Sequence, residues 1–379
     1  MTNRKRSTSR DKRSAPPAAQ GTAFHHSAFI IPCSSLLFFC TLASLLPAAE
    51  APSGTLTAQD RRQITLLGRK FPKAEDDAAR TAVADDLLAY GPRGAATLYD
   101  TADRMLNPLV ARYRSDLLAA TRTMLRDRFA EGGQENLETL QRTVRTLGDG
   151  SLTKEKIKSK GDPALEKLES RLVIPPEVVL KDSPDLQARR ERLLAIGAHR
   201  QRASDYLREH HPDAADALPD PRPFEDALGD HEALTSLLAL APSDAERRVL
   251  IGNADTAPKI KPEEARGIRR LNLIRLLAGL APLRIDVRLC DAARDHSKDM
   301  VEKGFFAHES PVEGKKTPWD RARNFGTSAH AENIAAGADT GAGSIRQWWY
   351  SPGHHKNMMG GHHRIGLGRH KKTWTQLFG

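Results

Sequence analysis

From residue 52 to 245 apolar residues recur at spacings of three and four, a periodicity that confines this half of the chain to amphipathic helices. "QDRRQITLLGRKF", "DDAARTAVADDLLAYG", "LYDTADRMLNPLVARYRSDLLAATRTMLRDRFAEGG" and "ENLETLQRTVRTLGDG" all carry it, punctuated at Pro72, Gly91–Pro92, Gly132–Gly133 and Gly148. "LLAYGPRGAATLYDTADRML" has the outline of one helical-repeat unit, but the three or more similar units of a stacked array are lacking, so a small bundle is expected. The polar, Lys-rich "GDGSLTKEKIKSKGDP" (148–163) reads as a linker inside this half. His210 and His211, before Pro212, read as a cationic turn at a helix end. This half contains no metal-ligand spacing, phosphate loop or nucleophile elbow.

From about residue 258 the texture changes, and eight of the fourteen histidines fall in residues 296–379. "KPEEARGIRRLNLIRLLAGL" predicts a helix with Pro262 first, Glu263 and Glu264 at its positive end and Gly279 at its exit. "RIDVRLCDAARDHSKDMVEKGFF" predicts a second, with Asp286 as N-cap, and "AGSIRQWWYS" a third. Residues Ala307 to Ala338, between the second and third, read as loop. "RIGLGRH" and "TWTQLFG", two short runs joined by a Lys-rich turn, predict a β-hairpin.

The first 51 residues read as a targeting segment. A basic, Ser-rich start precedes the apolar run "AFIIPCSSLLFFCTLASLLPAAEA", which ends in small residues, the order of a cleaved secretory signal; a retained N-terminal anchor is the alternative. This segment carries six Lys/Arg against Asp11 and Glu50, so much of the formal charge of +10 is local to it. No basic stripe interleaves with aromatics, and no nucleic-acid partner is expected. Cys33 and Cys40 lie in the apolar run, so Cys290 is left without an internal disulfide partner and reads as a small buried hydrophobe.

Chemistry-bearing side chains gather in four C-terminal segments: "FFAHESP" with His308, "AENIAAG" with Glu332, "WWYSPGHHKNM" with His354, and "HHRIGLG" with His362 and His363. Two imidazoles and a carboxylate suit a divalent cation with open positions. The same groups suit a general acid/base pair. Neither H-E-x-x-H nor G-x-S-x-G occurs, and "GTSAH" is only a near miss.

The run "LNLIRLLAGLAPLRID…LCDAARDHSKDM…GFFAHESP…RA…G…AENIAAG…WWYSPGHHKNMM…IGLG…WTQLFG" resembles the CAP superfamily, which includes cysteine-rich secretory proteins, antigen 5, plant pathogenesis-related proteins and bacterial SCP-like domains. The resemblance covers roughly residues 262–379. It implies an extracellular three-layer α-β-α sandwich with a cleft of two His and two Glu that binds zinc or another divalent cation in some members. Carried onto this chain, His308 and His354 stand for the histidines and Glu332 for the first glutamate. Ser351 stands where the second glutamate commonly falls, a departure common in bacterial relatives; His362 or His363 is a candidate substitute ligand, the alternative being that both are polar residues leading into a strand.

Other motif residues read structurally. Asn272 and Arg275 are expected to anchor backbone or carboxylates, His296 to lie among core positions, Asn333 to fix a loop, and Trp374 to pack. Trp348 and Trp349 point about 100° apart on a helix, so at most one is expected in the core. His355 is expected to face solvent.

These readings give an α+β protein: residues 1–51 a signal peptide or anchor, 52–245 an α-helical region, 246–261 a linker, and 262–379 a CAP/SCP-like α-β-α domain. The expected function is an exported, secreted or cell-envelope binding module. Its cleft would hold a divalent metal, zinc first, through His308, Glu332 and His354, and take a lipid, peptide or cell-wall ligand. Membrane contact is expected only through the N-terminal anchor. The rival is a hydrolase of peptide or cell-wall material with Glu332 as catalytic base; a purely structural polar cluster is the third reading.

Overall fold

The computed structural model describes residues 56–132, 137–146, 153–218 and 222–379, so the targeting segment lies outside the described residues. Helix α1 (Ala58–Lys70) starts at a Thr57/Asp60 capping box and runs into a 3-10 turn at Phe71–Lys73. It is followed by α2 (Asp77–Leu88), the long α3 (Gly91–Gly132) and α4 (Leu137–Thr146). The short α5 (Lys154–Lys156) passes through a π-helical turn (Ile157–Gly161) into α6 (Asp162–Leu172). Then come α7 (Pro176–Lys181), α8 (Pro184–His210), α9 (Pro212–Asp216), α10 (Phe224–Leu240) and α11 (Asp244–Thr256).

The C-terminal third continues with α12 (Pro262–Leu277), β1 (Arg284–Ile285), α13 (Val287–Glu302), α14 (Pro318–Asn324) and β2 (Ala331–Ala336). It closes with α15 (Gly341–Trp349), α16 (Pro352–Met358), β3 (Arg364–His370) and β4 (Thr373–Phe378). The predicted helix starts hold. Pro262 opens α12, the Asp286 side chain accepts from the Arg288 and Leu289 amides at the head of α13, and Gly279 leaves α12 with φ +71°. The hairpin forms as well, turning at Lys371 with φ +51°. The loop expected over 307–338 contains two elements, α14 and β2. A Thr317/Asp320 capping box with Pro318 in the first turn starts α14.

The four strands form one mixed sheet in the order β1-β3-β4-β2, with β1 parallel to β3 and the other pairs antiparallel. Helices α13 and α14 lie on one side, and α12, α15 and α16 on the other, giving the expected α-β-α sandwich. Alternation along β3 explains the close approach of α13. Ile365 and Leu367 face the α12 side, whereas Gly366 and Gly368 face α13. A Cβ on Gly368 would sit 2.1 Å from the Arg294 amide nitrogen, and one on Gly366 would sit 2.2 Å from the Leu289 carbonyl carbon. Gly368→Ala is therefore expected to force α13 off the sheet at a cost of about 1–3 kcal/mol, read as a lowered midpoint in urea unfolding.

The two largest apolar clusters divide the chain differently from the sequence. Helices α1–α3, α7, α8 and α10 share one cluster, including Leu98, Tyr113, Val179, Ile196 and Leu228. Val144, Ile157, Leu165, Leu168 and Leu172, from α4 to α6, belong instead to the cluster containing Ile268, Trp348, Leu367 and Trp374. The excursion α4–α6 is thus an outer cover of the sandwich. The Lys-rich stretch read as a linker is helical over 154–163 and buries Ile157. Residues 246–261, also read as a linker, lie largely in α11, whose Ser243/Glu246 capping box fixes its start. The Asn253 amide of α11 bonds the Leu283 carbonyl and the Ile285 amide, each at 2.8 Å, closing the β1 edge as a further strand would. Chain contacts group residues 51–379 as one compact unit. Among the described residues no helix is long and apolar enough to cross a membrane.

Candidate functional site

The polar cluster gathers along β2, the edge strand opposite β1. In register with Leu377 and Thr375, Glu332 and Ile334 face the α13 side, while Asn333, paired with Gln376, faces α15 and α16. The outward carbonyls of this edge are capped by side chains: Asn357 donates to Glu332 O, Trp348 to Ile334 O and Gln347 to Ala336 O. Asn333 Nδ2 donates to the His354 carbonyl at 3.2 Å, and Asn357 Nδ2 donates to Asn333 Oδ1 at 2.8 Å. These bonds tie α16, and with it His354, to the strand carrying Glu332. Asn333 works inside a strand rather than in a loop.

Glu332 is buried and engaged on both oxygens. Oε1 lies 2.9 Å from His308 Nδ1, and Oε2 accepts from Arg321 Nη2 at 2.5 Å. The Arg321 side chain is fully buried and that of Glu332 is 2% exposed, whereas His308 is 51% exposed. Arg321 also donates to the carbonyls of His308, Lys315 and Lys316, so one guanidinium clamps both ends of the loop after α13. Lys315 Nζ pins the same loop to Asp295 and Asp299 on α13. His308 is therefore exposed on a firmly held loop. Its Nδ1 faces a carboxylate, which leaves Nε2 as the nitrogen available to a ligand.

His354 is half-buried, and its imidazole is held below the ordinary histidine range, first by burial and then by the charge of nearby His308. The structure thus brings His308 and Glu332 into contact, with His354 close by. His362 stacks on Phe378 with ring centroids 4.7 Å apart, and the His363 amide donates to Gly379 O as the chain enters β3. Ser351 flanks the start of α16, where its carbonyl accepts from the His355 amide. Among the described residues no group of three or more His, Cys, Asp or Glu is arranged to hold a metal.

Arg321 was missed by sequence reasoning, although the Thr-Pro-Trp-Asp start of its helix was visible. His296 behaves as expected, fully buried with Nε2 donating to Ala307 O at 3.1 Å, one residue before His308. Burial pushes its imidazole down to about 4, with Glu332 pulling up and Arg321 pushing down. The unfolded chain takes this proton first, so the contribution is intact above about pH 6.5 and is lost as pH falls toward 4. Between pH 7 and 4.5 His296→Gln is expected to lose roughly 2–3 kcal/mol less than the parent chain, read from urea midpoints at the two pH values.

Two expectations for the "WWYSPGHH" stretch fail. His355 is fully buried, its Nδ1 3.2 Å from Trp349 O and its Nε2 3.0 Å from Val144 O on α4. Both tryptophans are buried. Trp348 packs under β2, and Trp349 is covered by α6, where its Nε1 donates to Asp162 Oδ1 at 2.8 Å. Tyr350 OH donates to the other Asp162 oxygen at 3.0 Å. The cover α4–α6 supplies the environment that the C-terminal sequence alone does not. Asn272 and Arg275 anchor backbone as expected, at Leu283 and at Ala281, Met358 and Gly360. Cys290 is buried with its thiol pushed up to about 12, which makes it inert at neutral pH.

Comparison with known proteins finds relatives for the C-terminal third. Residues 268–378 match the model of the CAP, cysteine-rich secretory protein, family. The uncharacterized protein YkwD of Bacillus subtilis (strain 168) is 34% identical over 143 residues, covering 36% of this chain and 54% of that protein. The uncharacterized membrane protein YlbC of the same organism is 32% identical over 108 residues, covering 28% and 31%. An extracellular protein containing a SCP domain from Bacillus anthracis str. Ames, known from its crystal structure, is 29% identical. That match covers 36% of this chain and 44% of the other, with a TM-score of 0.30. The chain spans about half the length of YkwD and about a third of that of YlbC.

Residues 268–378 are therefore a CAP domain. Helices α1–α11 lie outside the matched residues.

Proposed function

We propose that this chain is an exported binding module whose polar cluster at the β2 edge takes a divalent cation, zinc first, on the imidazoles of His308 and His354. The observation carrying this reading is the 2.9 Å contact of His308 Nδ1 with Glu332, which orients Nε2 outward in the manner of a carboxylate-supported histidine ligand. The donor set fits at two imidazoles. It does not fit at Glu332 as a direct ligand, because both carboxylate oxygens are engaged and one lies on the Arg321 guanidinium, whose charge repels a second cation. Glu332 then serves to orient His308. The remaining positions of such an ion are open to an extracellular ligand.

The hydrolase reading needs Glu332 as a free base, and its commitment to Arg321 and His308 works against that role. Export rests on the basic-then-apolar order of residues 1–51, and a membrane-protein relative accords with the cell envelope. Titration of the full chain with zinc chloride is expected to show saturable binding that is lost in His308→Ala and in His354→Ala. Glu332→Gln should weaken it roughly 10–100-fold. Zinc binding equal in the parent chain and a His308→Ala/His354→Ala double variant would contradict the reading.

A further inference from the structure

A cavity of about 650 Å³ lies where α10, α11 and α12 meet, and neither His308, Glu332 nor His354 lines it. This volume falls in the range of small-molecule sites rather than of single buried waters. It sits on the boundary between two apolar clusters. Leu234 and Leu250 belong to one, Ile268 and Ile285 to the other, and all four line the gap. Ala254 and Ala265 line it too, so small side chains leave open a space that larger ones would fill. The floor is shielded from bulk solvent, with Leu250 2% exposed and Ile268 1%. Its two amides are spent on the β1 edge. Asn253 and Asn272 each donate to Leu283 O, and they accept from the backbone amides of Ile285 and Leu283. Water inside therefore gains few hydrogen bonds from the walls.

The charged side chains of the rim are matched among themselves. Asp230 accepts from Arg222 at 2.7 Å and from Arg269 at 2.6 Å, and all three side chains are partly exposed, unlike the floor. Arg266 donates to Glu263 at 2.5 Å, Asp226 adds a further carboxylate, and Arg222 has another interaction of its own. Arg222, Arg266 and Arg269 thus face Asp226, Asp230 and Glu263, and these groups sum to no net charge. A charged ligand would shed its hydration on entering and meet no counter-ion that is not already matched. An uncharged apolar body sheds little and gains the area of the walls. Two of the three walls, α10 and α11, lie outside the CAP match, so the site is a product of the helical region meeting the domain.

We propose that this seam binds an uncharged, predominantly apolar small molecule between α10, α11 and α12, selected by shape and apolar area and not by a charged head. Two dyes with the same aromatic body test it: the uncharged N-phenyl-1-naphthylamine (NPN) and its sulfonate analogue ANS, each titrated into the full chain and read by fluorescence. One saturable NPN site is expected, weakened at least about tenfold by Ala254→Phe, which fills the gap. ANS should bind this site at least about tenfold more weakly than NPN, measured by its competition with NPN. Circular dichroism establishes that each variant is folded, and Ala265→Leu replaces Ala254→Phe if the latter is not. His308→Ala should bind NPN like the parent chain, which separates this site from the proposed metal ligands. Absence of saturable NPN binding would overturn the proposal. So would equal NPN affinity in a folded cavity-filled variant, equal affinity for ANS at the same site, or loss of NPN binding in His308→Ala.

Discussion

Replacing Arg321 by alanine is expected to cost the fold about 3–5 kcal/mol, because it leaves the Glu332 carboxylate charged and buried without its counter-ion. The pair meets at 2.5 Å with neither side chain more than 2% exposed, so water cannot take the guanidinium's place without opening the site. The carbonyls of His308, Lys315 and Lys316 lose donors in the same step, which frees the loop presenting His308. A loss of this size is a large fraction of the roughly 5–15 kcal/mol that stabilises a typical fold. Urea unfolding of the full chain measures it. Adding Glu332→Gln to Arg321→Met should recover part of the loss, because the charge left stranded is then gone. A cost below about 1 kcal/mol would mean that this guanidinium is not the counter-charge.

The second large effect concerns the domain boundary. Residues 246–379 expressed alone are expected not to unfold cooperatively and to bind the dye ANS, although they contain the whole sandwich. Without α4–α6 the sandwich loses Val144, Ile157, Leu165, Leu168 and Leu172 from its core, and Trp349 loses its cover. At about 1.5–3 kcal/mol for each large side chain, the loss is on the order of 10 kcal/mol as an upper figure, comparable with the stability of a whole domain. The buried indole and phenol contacts of Asp162 and the His355–Val144 bond go with it. Sharp thermal unfolding of this fragment near the full chain's midpoint would show that the cover is dispensable.

What the sequence disclosed and what it concealed divides along contact range. Helix starts at Pro262 and Asp286 and the Lys371 turn are local devices, written in adjacent residues, and they were legible. The motif run from His308 to Trp374 was legible as a family resemblance, which grouped His308 with Glu332, in contact in the fold although 24 residues separate them. Strand β2 was missed because its small residues and single charge lack the β-branched alternation of an isolated strand; pairing with β4 makes it one. Helix α11 was missed although its Ser-Asp-Ala-Glu start is a capping box. The errors at Trp349 and His355 have another origin. Their burial depends on Asp162 and Val144, 187 and 211 positions away in the chain, and no local period encodes such contacts. Arg321 went unremarked because a buried arginine is recognisable only beside the carboxylate it neutralises.

The central claim is that two imidazoles, and not Glu332, would hold the ion. X-ray absorption at the zinc edge, on the full chain loaded with one equivalent of zinc, tests it most directly. The account predicts two imidazole nitrogens at about 2.0–2.1 Å with the remaining positions filled by water oxygens, and the same spectrum in Glu332→Gln at saturating zinc. A coordination shell that loses an oxygen ligand in Glu332→Gln, or one unchanged by His308→Ala and His354→Ala, would contradict it.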